Sequence, residues 1–250
     1  MIPDSSATPV FTEATGSREV LVERLGRRDY KSAWDYQEQL FADMVAHKIS
    51  NRELPPDAQT PPLHHLLLCE HHPVYTLGKN GSMKNLLVNQ DTLNEKQISF
   101  FKINRGGDIT YHGPGQLVGY PILDLDYFFT DIGRYLRLLE ESVVLTLAEY
   151  GLKGERSAGE TGVWLDPSRP SKARKICAIG VRCSRWITMH GFALNVNTDL
   201  SYFEYIIPCG IQNKSVTSLE KELGGPAPLA EVEEKWLRHF EALFEASLRS

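Results

Sequence analysis

The stretch Lys175–Cys209 limits what this chain can fold into more than any other. Lys175–Cys183 is rich in Ile, Val and Ala around Gly180, and Trp186–Val196 carries aromatic and β-branched residues around Gly191. Both read as strands. Cys209 stands between Pro208 and Gly210, residues typical of a turn, which places its thiol on a loop. A thiol is a nucleophile only as thiolate, and a nearby ammonium group favours that form. A Lys175/Cys209 pair carrying out acyl chemistry is the reading that this stretch suggests.

The other elements follow from periodicity. Strand patterns occupy Val20–Leu25, Leu63–Cys69, Val74–Leu77, Ile98–Asn104, Gly119–Leu125 and Thr161–Leu165. Pro121 marks the fifth of these as an edge strand or a bulge. Helical spacing runs from Asp29, a plausible N-cap, to about Ile49, over 132–150 with Gly151 as its stop, and from about Leu229 to Leu248. Strands clustered between only three long helices predict an α+β fold with a mixed, largely antiparallel sheet flanked by helices. No linker separates two domains, so residues 18–250 read as one domain behind a flexible tail, 1–17.

The formal charge of -5 and a pI near 5.9 argue against bulk nucleic-acid binding. Nothing approaches eighteen consecutive apolar residues, so no membrane span is expected. The four cysteines, Cys69, Cys177, Cys183 and Cys209, form no C-x-x-C pair, and there is no secretory signal. A reducing cytoplasm with free thiols fits this usage.

Arg105–Gln116 is the second dense stretch. Its adjacent glycines Gly106 and Gly107 let a backbone approach a ligand, and Arg105 suits a carboxylate or phosphate. A hairpin loop with solvated polar residues is the equal alternative, and it is neither a Walker A loop nor a G-x-G-x-x-G loop. His64, His65, His71 and His72 lack metal-site spacing and read as strand-end and surface histidines. His112 and His190 each precede a glycine, and either lines a pocket or is a buried structural residue. Cys69, Cys177 and Cys183 read as small core hydrophobes. Local sequence alone leaves both Cys209 and Lys175 open to inert roles.

Taken together, EHHPVYTLGK at Glu70–Lys79, RGGDITYHGPGQLVGYPILDL at Arg105–Leu125, KICAIGVR at Lys175–Arg182, HGFALNV at His190–Val196, and PCGI followed by SVTSL at Pro208–Leu219 resemble the lipoyl(octanoyl) transferases. The resemblance covers roughly Val20 to Leu219. It implies a fold like the catalytic domains of biotin and lipoate ligases, a two-step acyl transfer and no cofactor or metal. Cys209 would attack the thioester of octanoyl-acyl carrier protein. A lysine amine of a lipoyl domain, in a 2-oxoacid dehydrogenase or the glycine-cleavage H protein, would then take the acyl group as an amide. Neither nucleic acid nor membrane is an implied partner.

By the same resemblance Lys175 lowers the cysteine pKa and later serves as base, which partial burial would favour. Arg105, Gly106, Gly107, Asp108, Ile109, Thr110, Tyr111 and His112, then Ala178, Ile179 and Gly180, then Gly191, Phe192 and Ala193 match substrate-binding segments. His190 and Tyr75 are supporting residues. Residues 176–181 are candidates to line an acyl tunnel, and Arg174, Arg182 and Arg185 to steer an acidic carrier. The connector 166–174 and the tail before Ser17 depart from the family pattern.

Three rivals stand beside this reading. A lipoate- or biotin-protein ligase would use ATP and need no cysteine. A non-catalytic acyl-binding module would tolerate loss of Cys209. A papain-like protease would need a local signature that is absent.

Overall fold

The computed structural model describes residues 17–207 and 215–250. In chain order the described elements are β1 (Glu19–Arg28), α1 (Tyr30–Asn51), β2 (His64–His71), β3 (Val74–Leu77), α2 (Gln90–Glu95), β4 (Ser99–Lys102), β5 (Ile109–His112) and β6 (Gln116–Ile122). There follow α3 (Ile132–Ala148), β7 (Glu155–Ser157), β8 (Glu160–Leu165), β9 (Arg174–Ser184), β10 (Ile187–Asn195), β11 (Ser215–Val216), α4 (Leu219–Leu223), α5 (Leu229–Phe244) and β12 (Ser247–Arg249).

The larger sheet runs β12-β1-β2-β6-β10-β9-β8-β7, with β11 beside β9, and a small sheet runs β4-β3-β5. Only β1/β12, β1/β2 and β11/β9 are parallel in the large sheet, so it is mixed and mostly antiparallel, as the pattern predicts. Alternation along β2 sorts the core. Leu66 and Leu68 join Val143, Leu147, Trp236 and Phe240 under α3 and α5, while Leu67 and Cys69 meet Phe41 and Met44 of α1 on the opposite face. Among the described residues, no helix is long and apolar enough to cross a membrane.

Helix starts and stops follow local chemistry. Asp131 accepts the Arg134 N–H at 2.9 Å at the start of α3, and Gly151 sits at φ +73 just past its end. Asp29 takes the N-cap position of α1, but its side chain makes no capping bond. Deeper along α1, Lys48 is almost fully buried and donates to Asp124 at 2.7 Å, Asp126 at 2.7 Å and the Arg185 carbonyl at 2.8 Å. That network ties the helix to the far end of the sheet.

Three sequence expectations need correction. Pro121 is not at an edge: β6 lies between β2 and β10, with Pro121 paired across to Leu66. The ladder on its other side is interrupted instead, and His190 of β10 takes φ +59 and gives its N–H to Gln37 Oε1 at 2.9 Å. Gly191 next to it can carry no side chain, because a Cβ would lie 2.1 Å from the Gly119 carbonyl. The last helix stops at Phe244, where Glu245 turns left-handed (φ 49), and Ser247–Arg249 become a strand on β1.

The histidines of β2 also differ from expectation. His64 and His71 are fully buried rather than at the surface. His64 accepts the Asp124 N–H and packs on Phe128 at 5.0 Å, because its end of the strand is covered by the turn after β6. His71 donates through Nδ1 to the Arg28 carbonyl at 3.0 Å and accepts the Tyr120 hydroxyl at 2.7 Å. Finally, the tail expected at 1–17 lies outside the described residues except for Ser17.

Burial pushes both imidazoles down to about 4. An unfolded histidine titrates near 6.5, so between those values the unfolded chain binds more protons than the native one. The stability each contributes is complete above pH ~6.5 and falls as pH drops towards 4, by up to about 1.4 kcal/mol per pH unit for each group. Urea unfolding should therefore show a falling free energy from pH 7 to pH 5, with a shallower slope in His64→Gln. A flat profile over that range would contradict neutral burial.

Candidate functional site

A cavity of about 550 Å³ opens between β9, β10 and the loop that leads into β5, within the size range of small-molecule sites. The loop is built around Arg105. Its guanidinium is buried and donates to the Thr76 carbonyl (2.9 Å) and hydroxyl (3.0 Å), the Asp108 carbonyl (2.8 Å) and the Gly106 carbonyl (2.9 Å). These bonds fold the loop over its own arginine, so Arg105 braces the protein's backbone rather than presenting an open anion fork. The Gly106 N–H then docks on the Val181 carbonyl at 2.9 Å, joining loop to β9. Asp108 secures the other side by accepting the N–H groups of Ser82 and Ile109 and the amide of Asn85.

Lys175 lies on the cavity wall and is 9% exposed. Its Nζ stands 4.8 Å from the centre of the Trp164 ring, close enough for a cation–π contact. Its backbone pairs with Val216 of β11, and its carbonyl accepts the Thr217 N–H at 2.9 Å. Ala178, Ile179 and Gly180 follow on β9, and Gly191, Phe192 and Ala193 face them on β10. Ile176 and Cys177 instead belong to the core, at the point where the β8–β9 register shifts and skips Ile176.

His190 lines the cavity with a defined tautomer. Arg182 donates to both oxygens of Glu38, and Asn104 Nδ2 donates to Glu38 Oε1 at 2.8 Å. Asn104 Oδ1 must then accept, so the 2.8 Å contact puts a hydrogen on His190 Nε2. Nδ1 is left as a lone-pair acceptor with no partner among the described residues. Burial, then the Arg105 and Arg182 charges, push this imidazole down to about 3.

His112 is held differently. Gln116 Nε2 donates to Asn195 and the Tyr111 carbonyl, so its Oε1 accepts His112 Nδ1–H at 2.8 Å, while Thr76 reaches Nε2 at 3.3 Å. Both nitrogens of His112 are thus committed to the protein, and burial pushes it to about 3. It is a structural histidine at the wall, stacked at 9° on Tyr30.

Of the residues expected from sequence, 105–110, His112, 178–180, 191–193, Lys175 and His190 all border this cavity. Tyr111 and Tyr75 do not. Tyr111 stacks on Tyr202 at 4.8 Å, and the Tyr75 hydroxyl donates to the Tyr202 carbonyl at 2.6 Å, so both hold the small sheet against the turn after β10. Arg174 and Arg182 are closed in ion pairs with Glu222 and Glu38, which weakens the steering role expected of them. Cys209 lies outside the described residues. Tyr30, Asn80, Tyr120, Leu136, Gly159, Glu160 and Thr161 also line the wall, and sequence reasoning singled out none of them for a site. They arrive from α1, the segment after β3, β6, α3, and the β7–β8 turn with the start of β8, so only the fold joins them.

The described cysteines are poor nucleophiles. Burial pushes the Cys69, Cys177 and Cys183 thiols up, away from the thiolate.

Comparison with known proteins gives this cavity a family. Residues 29–241 match the lipoyl protein ligase A/B catalytic domain. The chain is 62% identical to an octanoyltransferase of Christiangramia forsetii, over 93% of this chain and 99% of that one. It is 60% identical to an octanoyltransferase of Flavobacterium johnsoniae, again over 93% and 99%. A bipartite lipoate protein ligase from Thermoplasma acidophilum shares the fold with a TM-score of 0.65 at 16% identity, over 94% of this chain and 86% of that one. A lipoate-protein ligase A bound with ATP does so with a TM-score of 0.64 at 17% identity, over 94% and 87%. Identity of this extent, along nearly the whole of both chains, makes the protein a member of the octanoyltransferase family and hence an acyltransferase.

Proposed function

We propose that this chain moves an octanoyl group from octanoyl-acyl carrier protein to a lysine of a lipoyl domain through a thioester on Cys209. In the first step the Cys209 thiolate attacks the donor's thioester carbonyl, and the carbon–sulfur bond to the carrier breaks. The carrier thiolate leaves and takes up a proton. In the second step a lysine amine of the lipoyl domain attacks the acyl-enzyme, an amide forms and the Cys209 thiolate is expelled. Exchange of one thioester for another is near balance, and amide formation draws the sequence forward.

The observation that carries this reading is the placement of Lys175. A buried ammonium on the wall of a cavity lined by the two glycine-bearing segments would favour a thiolate beside it, give its proton to the departing carrier thiolate and then, as the neutral amine, accept the proton of the incoming lysine amine. Its strand neighbour Val216 follows the PCGI stretch by only a few residues. The other three thiols are held protonated by burial, which leaves Cys209 as the candidate nucleophile. The acceptors are lipoyl domains of 2-oxoacid dehydrogenases and the glycine-cleavage H protein, and the free thiols suit a cytoplasmic site of action. ATP has no part in this route.

Intact-protein mass spectrometry after mixing with octanoyl-acyl carrier protein, without ATP, should show an octanoyl adduct. It should map to Cys209 and vanish when a lipoyl domain is added. Transfer that appears only with ATP and free octanoate would move the chain to ligase chemistry. Cys209→Ala should give no adduct and no transfer, and wild-type activity in that variant would sink the mechanism. Lys175→Ala should slow adduct formation and amide formation alike, each by about 100-fold or more, as read by single-turnover kinetics.

A further inference from the structure

Lys175 does not hold its place by its own strand alone. Its side chain lies across β8, over the Trp164 ring and against the bare α-carbon of Gly162, two residues away on the same face of the strand. A Cβ at Gly162 would stand 3.2 Å from Lys175 Cε, 3.5 Å from Nζ and 2.5 Å from the Cys177 carbonyl. Gly162 has φ +117, a conformation closed to residues with a side chain. The register between β8 and β9 shifts just after it, between Val163 and Trp164.

That conformation is held from beneath. Glu140 of α3 is fully buried, and its Oε1 accepts the Gly162 N–H at 2.9 Å. Its Oε2 takes Arg156 Nε at 3.0 Å and Arg137 Nη1 at 2.7 Å. Those two arginines are part-exposed, so the carboxylate is the deep member of the cluster. Burying a carboxylate is expensive unless it is hydrogen-bonded on every side. What this one secures is a main-chain N–H in a strand that no regular ladder could hold at φ +117.

We infer that Glu140 and Gly162 form a positioning device that sets where the Lys175 ammonium points. Gly162 supplies the floor under the lysine stem, and Glu140 keeps that floor turned. The inference rests on the reading of Lys175 as the partner of the Cys209 thiolate, and it adds two residues that never touch substrate.

The test is the pH dependence of Cys209 alkylation by iodoacetamide, followed by peptide mapping, in the full-length protein. Gly162→Ala should raise the alkylation midpoint by about one pH unit and slow octanoyl-enzyme formation about tenfold at pH 7. Gly151→Ala is the control for backbone strain. It has φ +73 with nothing near its α-carbon, and it should lose stability without moving the midpoint. If Gly162→Ala does not fold, Glu140 decides. Glu140→Gln keeps a carbonyl for the Gly162 N–H and should leave the midpoint in place, whereas Glu140→Leu, of similar volume, should raise it. Wild-type midpoints in both Gly162→Ala and Glu140→Leu, with a raised midpoint in Lys175→Ala, would overturn the positioning role alone. An unmoved midpoint in Lys175→Ala would overturn the Lys175–Cys209 reading and this inference with it.

Discussion

The cavity depends on a hydrogen bond that Pro121 cannot donate. In the middle of the large sheet the proline leaves a gap in the ladder towards β10, and the opposing strand responds at His190 and Gly191. His190 turns to φ +59 and finds Gln37 as an acceptor for its N–H, so that backbone donor is paired at the break. Gly191 lets the two backbones close up beside the break. A proline is ordinarily excluded from an interior strand. Here the irregularity it creates lies under the cavity, where an unbroken sheet would present only a flat, alternating face.

Charge in and around the cavity is arranged with economy. The two histidines on its wall are held neutral by burial, and the arginine of the loop is spent on protein carbonyls. Lys175 holds its side-chain nitrogen against an indole face, 4.8 Å from the centre of the Trp164 ring, so one side of it is turned from water. A local positive field of this kind persists in an apolar setting better than it would in water. The same reasoning accounts for Glu140 lying one layer below, where its charge serves the backbone.

Much of this was legible in the sequence, because strands and glycine loops announce themselves locally. The runs around Gly180 and Gly191 are adjacent strands, and the 105–112 stretch borders the same cavity, one of the two readings that its composition left open. What could not be read was every feature produced by the meeting of distant segments. Tyr30, Tyr120 and Leu136 look like ordinary core residues until three elements converge on one cavity. His112 and His190 share a local context, yet Gln116 and Thr76 occupy both nitrogens of one while Asn104 occupies a single nitrogen of the other. Tyr75 sits within a family motif but works as a strut between the small sheet and Tyr202. Helical periodicity ran on past Phe244 because Ala246 and Leu248 still pack on the core, although they do so from an extended chain.

That final strand has a consequence for the order in which the molecule comes together. β12 is synthesised after every element it touches, yet it pairs in parallel with β1, the first described strand, at Glu19–Leu21. Until the ribosome has released Ser247–Arg249 from its exit tunnel, the β1 edge offers unpaired N–H and carbonyl groups to any neighbouring chain. The contact of longest sequence separation in the sheet is thus the last that translation permits. Growing chains crowded on one message are exposed along this whole edge, and in the finished molecule β12 pairs with it at Glu19–Leu21.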